Sequence, residues 1–153
     1  MGILATRLCI VLLIILGDSL TWNSLAAEQA RSELPKILLD GFSAYKAEGA
    51  EAALKTWLKG SPMEGEKQAL SQVNALLQIE SLVGKYLTYH PIHNRALTPT
   101  TQIVFLVVDY EKGPLFGVFV LYKAADGWIA FKFDFNLNPW EILPPALMVR
   151  GAD

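Results

Sequence analysis

The chain predicts an α+β domain in which N-terminal helices pack on a curved, four-stranded antiparallel meander. Three observations carry that expectation. Residues 128–137 alternate, with Ile129, Phe131, Phe133, Phe135 and Leu137 on one face and Trp128, Ala130, Lys132, Asp134 and Asn136 on the other. Such period-two patterning marks a strand with one buried face. Residues 115–122 are apolar on both faces and rich in Val and Phe, as a central strand should be. Leu34, Ile37, Leu38, Gly41, Phe42 and Tyr45 recur instead at helical spacing and form one apolar stripe.

Taken in order, the chain opens like a secretory signal peptide. A single positive charge at Arg7 precedes an apolar run from Leu8 to Leu16, and small residues follow at Ser24, Ala26 and Ala27. The run is well short of the ~20 residues that a membrane-spanning helix needs. Residues 1–26 are therefore expected to be cleaved, leaving 27–153 as one domain with a polar lead-in over 27–32 and a Pro-rich tail over 138–153. Such a protein is secreted or periplasmic. Cys9, its only cysteine, leaves with the leader, so the mature chain has no disulfide and depends on its core. Without Arg7 and Asp18, the 13 basic and 15 acidic residues become 12 and 14. The basic residues are scattered, which argues against nucleic acid as a partner. No basic amphipathic helix points to a membrane surface after cleavage.

Ser32 can cap the first helix, Pro35 suits its first turn, and Gly49 ends it. Residues 50–59 read as a short second helix carrying Ala53, Leu54, Trp57 and Leu58, stopped by Gly60. Ser61-Pro62-Met63-Glu64 reads as a capping box opening a third helix, with Ala69, Leu70, Val73, Leu76 and Leu77 toward the core. Gly84 marks the change to a first strand over 84–92, where Pro91 suits a sheet edge. Thr101–Tyr110 is the second strand. In the tail, Trp140, Ile142, Leu143 and Leu147 supply apolar groups that can pack.

The turns set the expected register. Ala125-Asp126-Gly127 reads as a three-residue hairpin loop with Gly at its positive φ. Ala124 then pairs with Trp128, Phe119 with Phe133, and Gly117 with Phe135. Taking Glu111-Lys112-Gly113 as three residues as well, Val108 pairs with Phe116, Leu106 with Val118, and Val104 with Val120. Ile103, Phe105, Val107 and Asp109 then share the inner face with Phe119, Leu121, Phe131 and Phe133.

Gly49-Ala50-Glu51-Ala52-Ala53 opens the second helix, Val83-Gly84-Lys85-Tyr86 forms the helix-to-strand junction, and Asp126-Gly127-Trp128 leads into the last strand. With this element order, the chain from Ser32 to about Leu143 resembles the nuclear transport factor two-like, or SnoaL-like, cone fold and its cystatin-like relatives. That resemblance implies helices layered on one face of a curved sheet. Members include isomerases, dehydratases, cyclases, trafficking adaptors and domains without known activity, so the fold alone licenses no reaction.

Candidate chemistry is sparse. Gly17-Asp18-Ser19-Leu20 spells the GDSL lipase block, but here it ends a leader and lacks the large α/β domain that supplies the His and acid. His90 and His93 stand three apart on a strand, so regular alternation sends them to opposite faces and away from a shared metal ion. Asp109 at the cone mouth, with Tyr86 or His90, is the best acid–base set. The blander account of Asp109 is a strand-end acid beside a turn. Trp57, Phe105, Phe119, Phe131 and Phe133 are the candidate lining of an apolar pocket, and Trp57 is expected in the core itself. Trp128 and Trp140 are further pocket or rim aromatics.

Ile103, Phe105, Val107, Phe119, Leu121, Phe131 and Phe133 of the inner row offer no proton-transfer group, whereas a cone enzyme needs at least one. The expected role is therefore non-catalytic, binding an apolar ligand or a protein partner without cofactor or metal. The alternative is an isomerase- or dehydratase-type enzyme using the acid at the mouth. Leu106, Val118, Val120, Lys132 and Asp134 define an outer face that one helical layer leaves uncovered. An apolar patch there marks an interaction site and predicts a homodimer, with Lys132 of one protomer meeting Asp134 of its partner. The competing cover is the chain's own tail.

Overall fold

The computed structural model describes residues 34–149, apart from the side chains of residues 68–70. The expected leader, the GDSL sequence, the lead-in with Ser32, and the core roles of Ala69 and Leu70 lie outside the described residues. Helices α1 (Lys36–Glu48), α2 (Ala50–Leu58) and α3 (Lys67–Val83) precede strands β1 (Tyr86–Thr98), β2 (Thr101–Tyr110), β3 (Gly113–Ala124) and β4 (Gly127–Asn136). The sheet is an antiparallel meander in the order β1-β2-β3-β4. A short 3₁₀ turn (Pro139–Glu141) and a single helical turn, α4 (Pro145–Met148), follow. This is the α+β arrangement of helices before a curved sheet that the sequence predicts.

The helical stripe of α1 is the one expected, with Leu38, Gly41, Phe42 and Tyr45 all buried. Trp57 of α2 is 1% exposed and lies edge-on to Phe42, with ring centroids 4.9 Å apart. That approach is possible because residue 41 has no side chain. A Cβ there would fall 1.8 Å from the Trp57 ring nitrogen. The third helix starts later than expected. Ser61 Oγ does accept from the Met63 N–H, and Glu64 accepts from the Gly60 N–H at 2.7 Å. This cap serves only the turn over 61–65, and the helix proper begins at Lys67. Leu76 is buried and Val73 packs against the core, but Leu77 is 47% exposed.

Strand β1 extends beyond the expected 84–92 and forms an edge, with register shifts at Leu87, Ile92 and Leu97. Each extra residue bends and twists an edge strand, and together with Pro91 this discourages pairing with another chain. The shift at Ile92 corrects the reading of the histidines. His90 pairs with Val107 and His93 with Phe105, so both lie on the same face of the sheet.

The β2–β3 connection also differs from expectation. Tyr110 pairs with Gly113, leaving only Glu111 and Lys112 in the turn. The turn is docked on the α3–β1 junction: Lys112 N–H donates to the Val83 carbonyl at 2.8 Å, and Glu111 N–H to the Lys85 carbonyl at 3.1 Å. Glu111 Oε2 accepts from the Lys85 N–H and would stand 2.6 Å from a Cβ at position 84. With φ of 88°, that position requires glycine on both counts. Losing one residue from the turn exchanges the two faces of β2, because side chains alternate with a period of two. Val104, Leu106, Val108 and Tyr110 are therefore inside, at most 4% exposed, while Ile103, Phe105, Val107 and Asp109 face outward.

The β3–β4 loop is likewise two residues, since Ala124 pairs with Gly127 and Lys123 with Trp128. Here a register shift at Phe131 absorbs the difference. Phe119 still meets Phe133, and Gly117 still meets Phe135. Ala130 consequently turns inward and is fully buried, while Phe131 is 52% exposed. Lys132 and Asp134 pair with Val120 and Val118 on the outer face, as predicted.

The core forms where the helices meet the inner face. Phe119 is completely buried and contacts the rings of Phe42, Trp57 and Phe133 at 6.3, 5.1 and 5.6 Å. Burying each such ring stabilises the fold by about 1.5–3 kcal/mol relative to exposure.

Candidate functional site

The residues predicted as a pocket do not come together. Trp57, Phe119 and Phe133 are core, at 1%, 0% and 4% exposure, filling the space a cone would leave for a ligand. Phe105 stands on the opposite face, and Phe131 is displaced outward by the shift in β4. Trp128 packs part-buried against the core, and Trp140 is 67% exposed. An opening of about 270 Å³ does remain beside α2. Leu54, Leu58 and Val73 give it an apolar lining, and Glu51, Glu64, Glu66 and Lys55 give it a charged one.

The candidate acid–base residues divide between the faces. Asp109 is outside rather than on the inner row, and its carboxylate lies 3.1 Å from His90 Nε2. Both side chains are more than 40% exposed, so the pair contributes little to stability. Tyr86 pairs with Tyr110 on the inner face. Asp109, His90 and Tyr86 therefore do not converge on one reacting centre. Among the described residues no group of three or more His, Cys, Asp or Glu is placed to hold a metal ion.

The outer face of the sheet is a continuous row of part-exposed residues. Ile103, Phe105 and Val107 of β2 stand beside Phe116, Val118 and Val120 of β3, all part-exposed. Leu106, predicted for this surface, belongs to the core. The odd-numbered residues of β2 replace the even-numbered ones. The middle remains apolar, flanked by His90, His93 and Arg95 on the β1 side and by Lys132 and Asp134 on the β4 side. Tyr122 and Phe131 add exposed rings near the β3–β4 turn. In the tail, Ile142 and Leu143 are each 8% exposed, yet they are not part of the main core cluster.

Sequence reasoning missed a polar cluster on the other side of the sheet. The hydroxyls of Tyr45 and Tyr110 lie 2.7 Å apart, and each residue is at most 4% exposed. Either hydroxyl can be the donor in this pair. The Glu80 carboxylate is near enough to act on Tyr45 electrostatically. Burial first, then the neighbouring Tyr110 and Glu80, holds the Tyr45 hydroxyl far above its ordinary pKa of 10.0. Burial likewise pushes Tyr110 up to about 12. Both remain neutral donors at physiological pH. The one signal available was the position of Tyr45 on the apolar stripe of α1, which forces its hydroxyl to find a partner inside.

Comparison with known proteins returned no matching family, curated protein or solved structure. No helix among the described residues is long and apolar enough to cross a membrane.

Proposed function

We propose that this chain is an exported, non-catalytic domain of the nuclear transport factor two-like kind, and that it binds a protein partner through the outer face of its sheet. The simplest such partner is a second copy. One observation carries the reading: the outer face is apolar at its centre, part-exposed and polar only at its flanks. Contiguous apolar surface of this kind on an exported chain marks an interaction site. Removing ~600 Å² of apolar area from water would stabilise the assembly by ~15 kcal/mol at about 25 cal/mol per Å². Association itself costs ~4–15 kcal/mol, which leaves a modest dimer. Across a two-fold axis Lys132 of one protomer can meet Asp134 of its partner, and Arg95 adds a second positive group at the opposite flank.

The filled core supports binding over catalysis, since Phe119 and Phe133 occupy the interior and the Asp109–His90 pair faces away from it. Native mass spectrometry of the exported protein tests both parts of the reading at once. The expected spectrum shows a dimer without co-purified small molecule, and a chain that N-terminal sequencing finds to start at or near Ala27. A monomer carrying an apolar ligand would transfer the role to the opening beside Leu54 and Leu58. An exported protein that keeps Met1 would end the signal-peptide reading.

A further inference from the structure

The strand register fixes which residues of the outer face stand level with one another. One row runs Arg95, Ile103, Val120, Lys132 from β1 to β4, and the adjacent row runs His93, Phe105, Val118, Asp134. Each row is apolar in the middle and polar at both ends. His93 joins its row because the shift at Ile92 turns it outward, two residues from Arg95. Arg95, Lys132 and Asp134 are exposed and His93 is part-exposed, so all four charged or titratable ends are open to a partner.

Aligned packing of two identical sheets allows two kinds of two-fold axis, along the strands or across them. An axis along the strands lays β1 over β4 of the partner and sets Arg95 against Lys132 of its partner, like charges facing twice. An axis across the strands, between the two rows, exchanges the rows instead. Phe105 then meets Ile103, Val118 meets Val120, and Lys132 meets Asp134, each pair formed twice. Charge complementarity at β4 therefore selects the axis across the strands. That axis also lays β1 over β1 and brings His93 of one protomer against Arg95 of the other, again twice.

Histidine is the side chain whose charge ordinarily changes between pH 5 and 8. A neutral imidazole accepts a hydrogen bond from a guanidinium, whereas an imidazolium is repelled by one. Little around His93 would offset that repulsion. Phe105 lies beside it on β2, Arg95 adds a positive charge on its own strand, and the helices cover the other face. The nearest acid, Asp109, stands with His90 at 3.1 Å. Asp134 of the partner lies at the far edge, over β4. Resting on the reading of the outer face as a dimer surface, we infer that this dimer closes about an axis across the strands and is opened by acid, through protonation of His93 against Arg95 of its partner.

Sedimentation velocity of the exported protein at about pH 8 and about pH 5.5, in low salt to limit screening, tests the inference. The protein should be dimeric at the higher pH, and its Kd should rise roughly tenfold or more at the lower one. His93→Gln keeps a polar acceptor without the titration, so it should dimerise like the wild type at pH 8 and change little at pH 5.5. Arg95→Gln should flatten the response as well, with His93 still present. Thermal unfolding at both pH values reports whether each protein is folded. A monomer at pH 8 would overturn the dimer reading and this inference with it. A dimer at pH 8 whose Kd is unchanged or lower at pH 5.5 would leave the dimer standing and overturn the switch. A lower Kd would favour the axis along the strands, where His93 meets Asp134. A full acid response in folded His93→Gln would also overturn it.

Discussion

The two faces of the sheet are built from nearly the same residue types and meet opposite fates. On the inner face Val104, Leu106, Leu115, Phe119 and Leu121 are at most 1% exposed beneath the helices. On the outer face, one residue along each strand, Phe105, Val107, Val118 and Val120 stay part-exposed. Apolar content alone therefore does not place the core here. The helices decide it, because only the inner face meets Phe42 and Trp57. The inner row is fully explained by folding stability. The outer row asks for an occupant, and that difference is the basis for the proposed partner surface.

Substitutions on the two faces should separate sharply in urea or thermal unfolding. Phe133→Ala removes a 4%-exposed ring from the core and should cost roughly 3–5 kcal/mol. A cost below that of Asp134→Ala would mean the sheet is inside out. Gly117→Ala on the inner face places a Cβ 2.7 Å from the Phe135 ring and 3.2 Å from Leu106. It should cost about 1–3 kcal/mol through overpacking. The same change at Gly113, where a Cβ meets nothing within 4 Å, serves as its control.

The buried tyrosines sharpen the comparison through pH. Their folded pKa values lie above the unfolded value of 10.0, so their contribution is complete below about pH 10 and disappears as pH rises through the folded values. Stability should therefore fall as pH rises from about 10 to 12, by roughly 1 kcal/mol per pH unit for each of the two. Tyr110→Phe should remove one of the two shares, and an unchanged alkaline slope in that variant would show that Tyr110 titrates normally. The smallest effect belongs to Asp134→Ala on the outer face, at under about 1 kcal/mol.

How far the sequence was legible follows the same division. Residues 128–137 alternate polar with apolar, so Phe133 and Asp134 could be assigned to their faces without knowing the turn. When the loop proved one residue shorter, the shift at Phe131 restored that assignment. β2 has no such pattern, because Ile103-Val104-Phe105-Leu106-Val107-Val108 is apolar on both faces. Only the turn could set its parity, and a turn of Glu111 and Lys112 reverses the parity expected from three residues. The reason for the shorter turn is tertiary: its hydrogen bonds run to Val83 and Lys85, at a junction that strand periodicity cannot reveal. The Tyr45–Tyr110 pair was hidden by the same reversal, since Tyr110 was expected on the outer face. The edge shifts in β1 likewise carry no residue signature, so His90 and His93 were wrongly separated.

The claim that the outer face is an interaction surface is tested most directly by light scattering at tens of micromolar on the mature protein and on Val118→Lys. Val118 lies between Phe105 and Asp134 at the centre of the outer face and makes no part of the buried core. The account predicts a wild-type dimer, a monomeric Val118→Lys, and thermal midpoints within a few degrees of each other. A monomeric wild type would contradict it and assign the outer face to the chain's own tail, through Ile142 and Leu143.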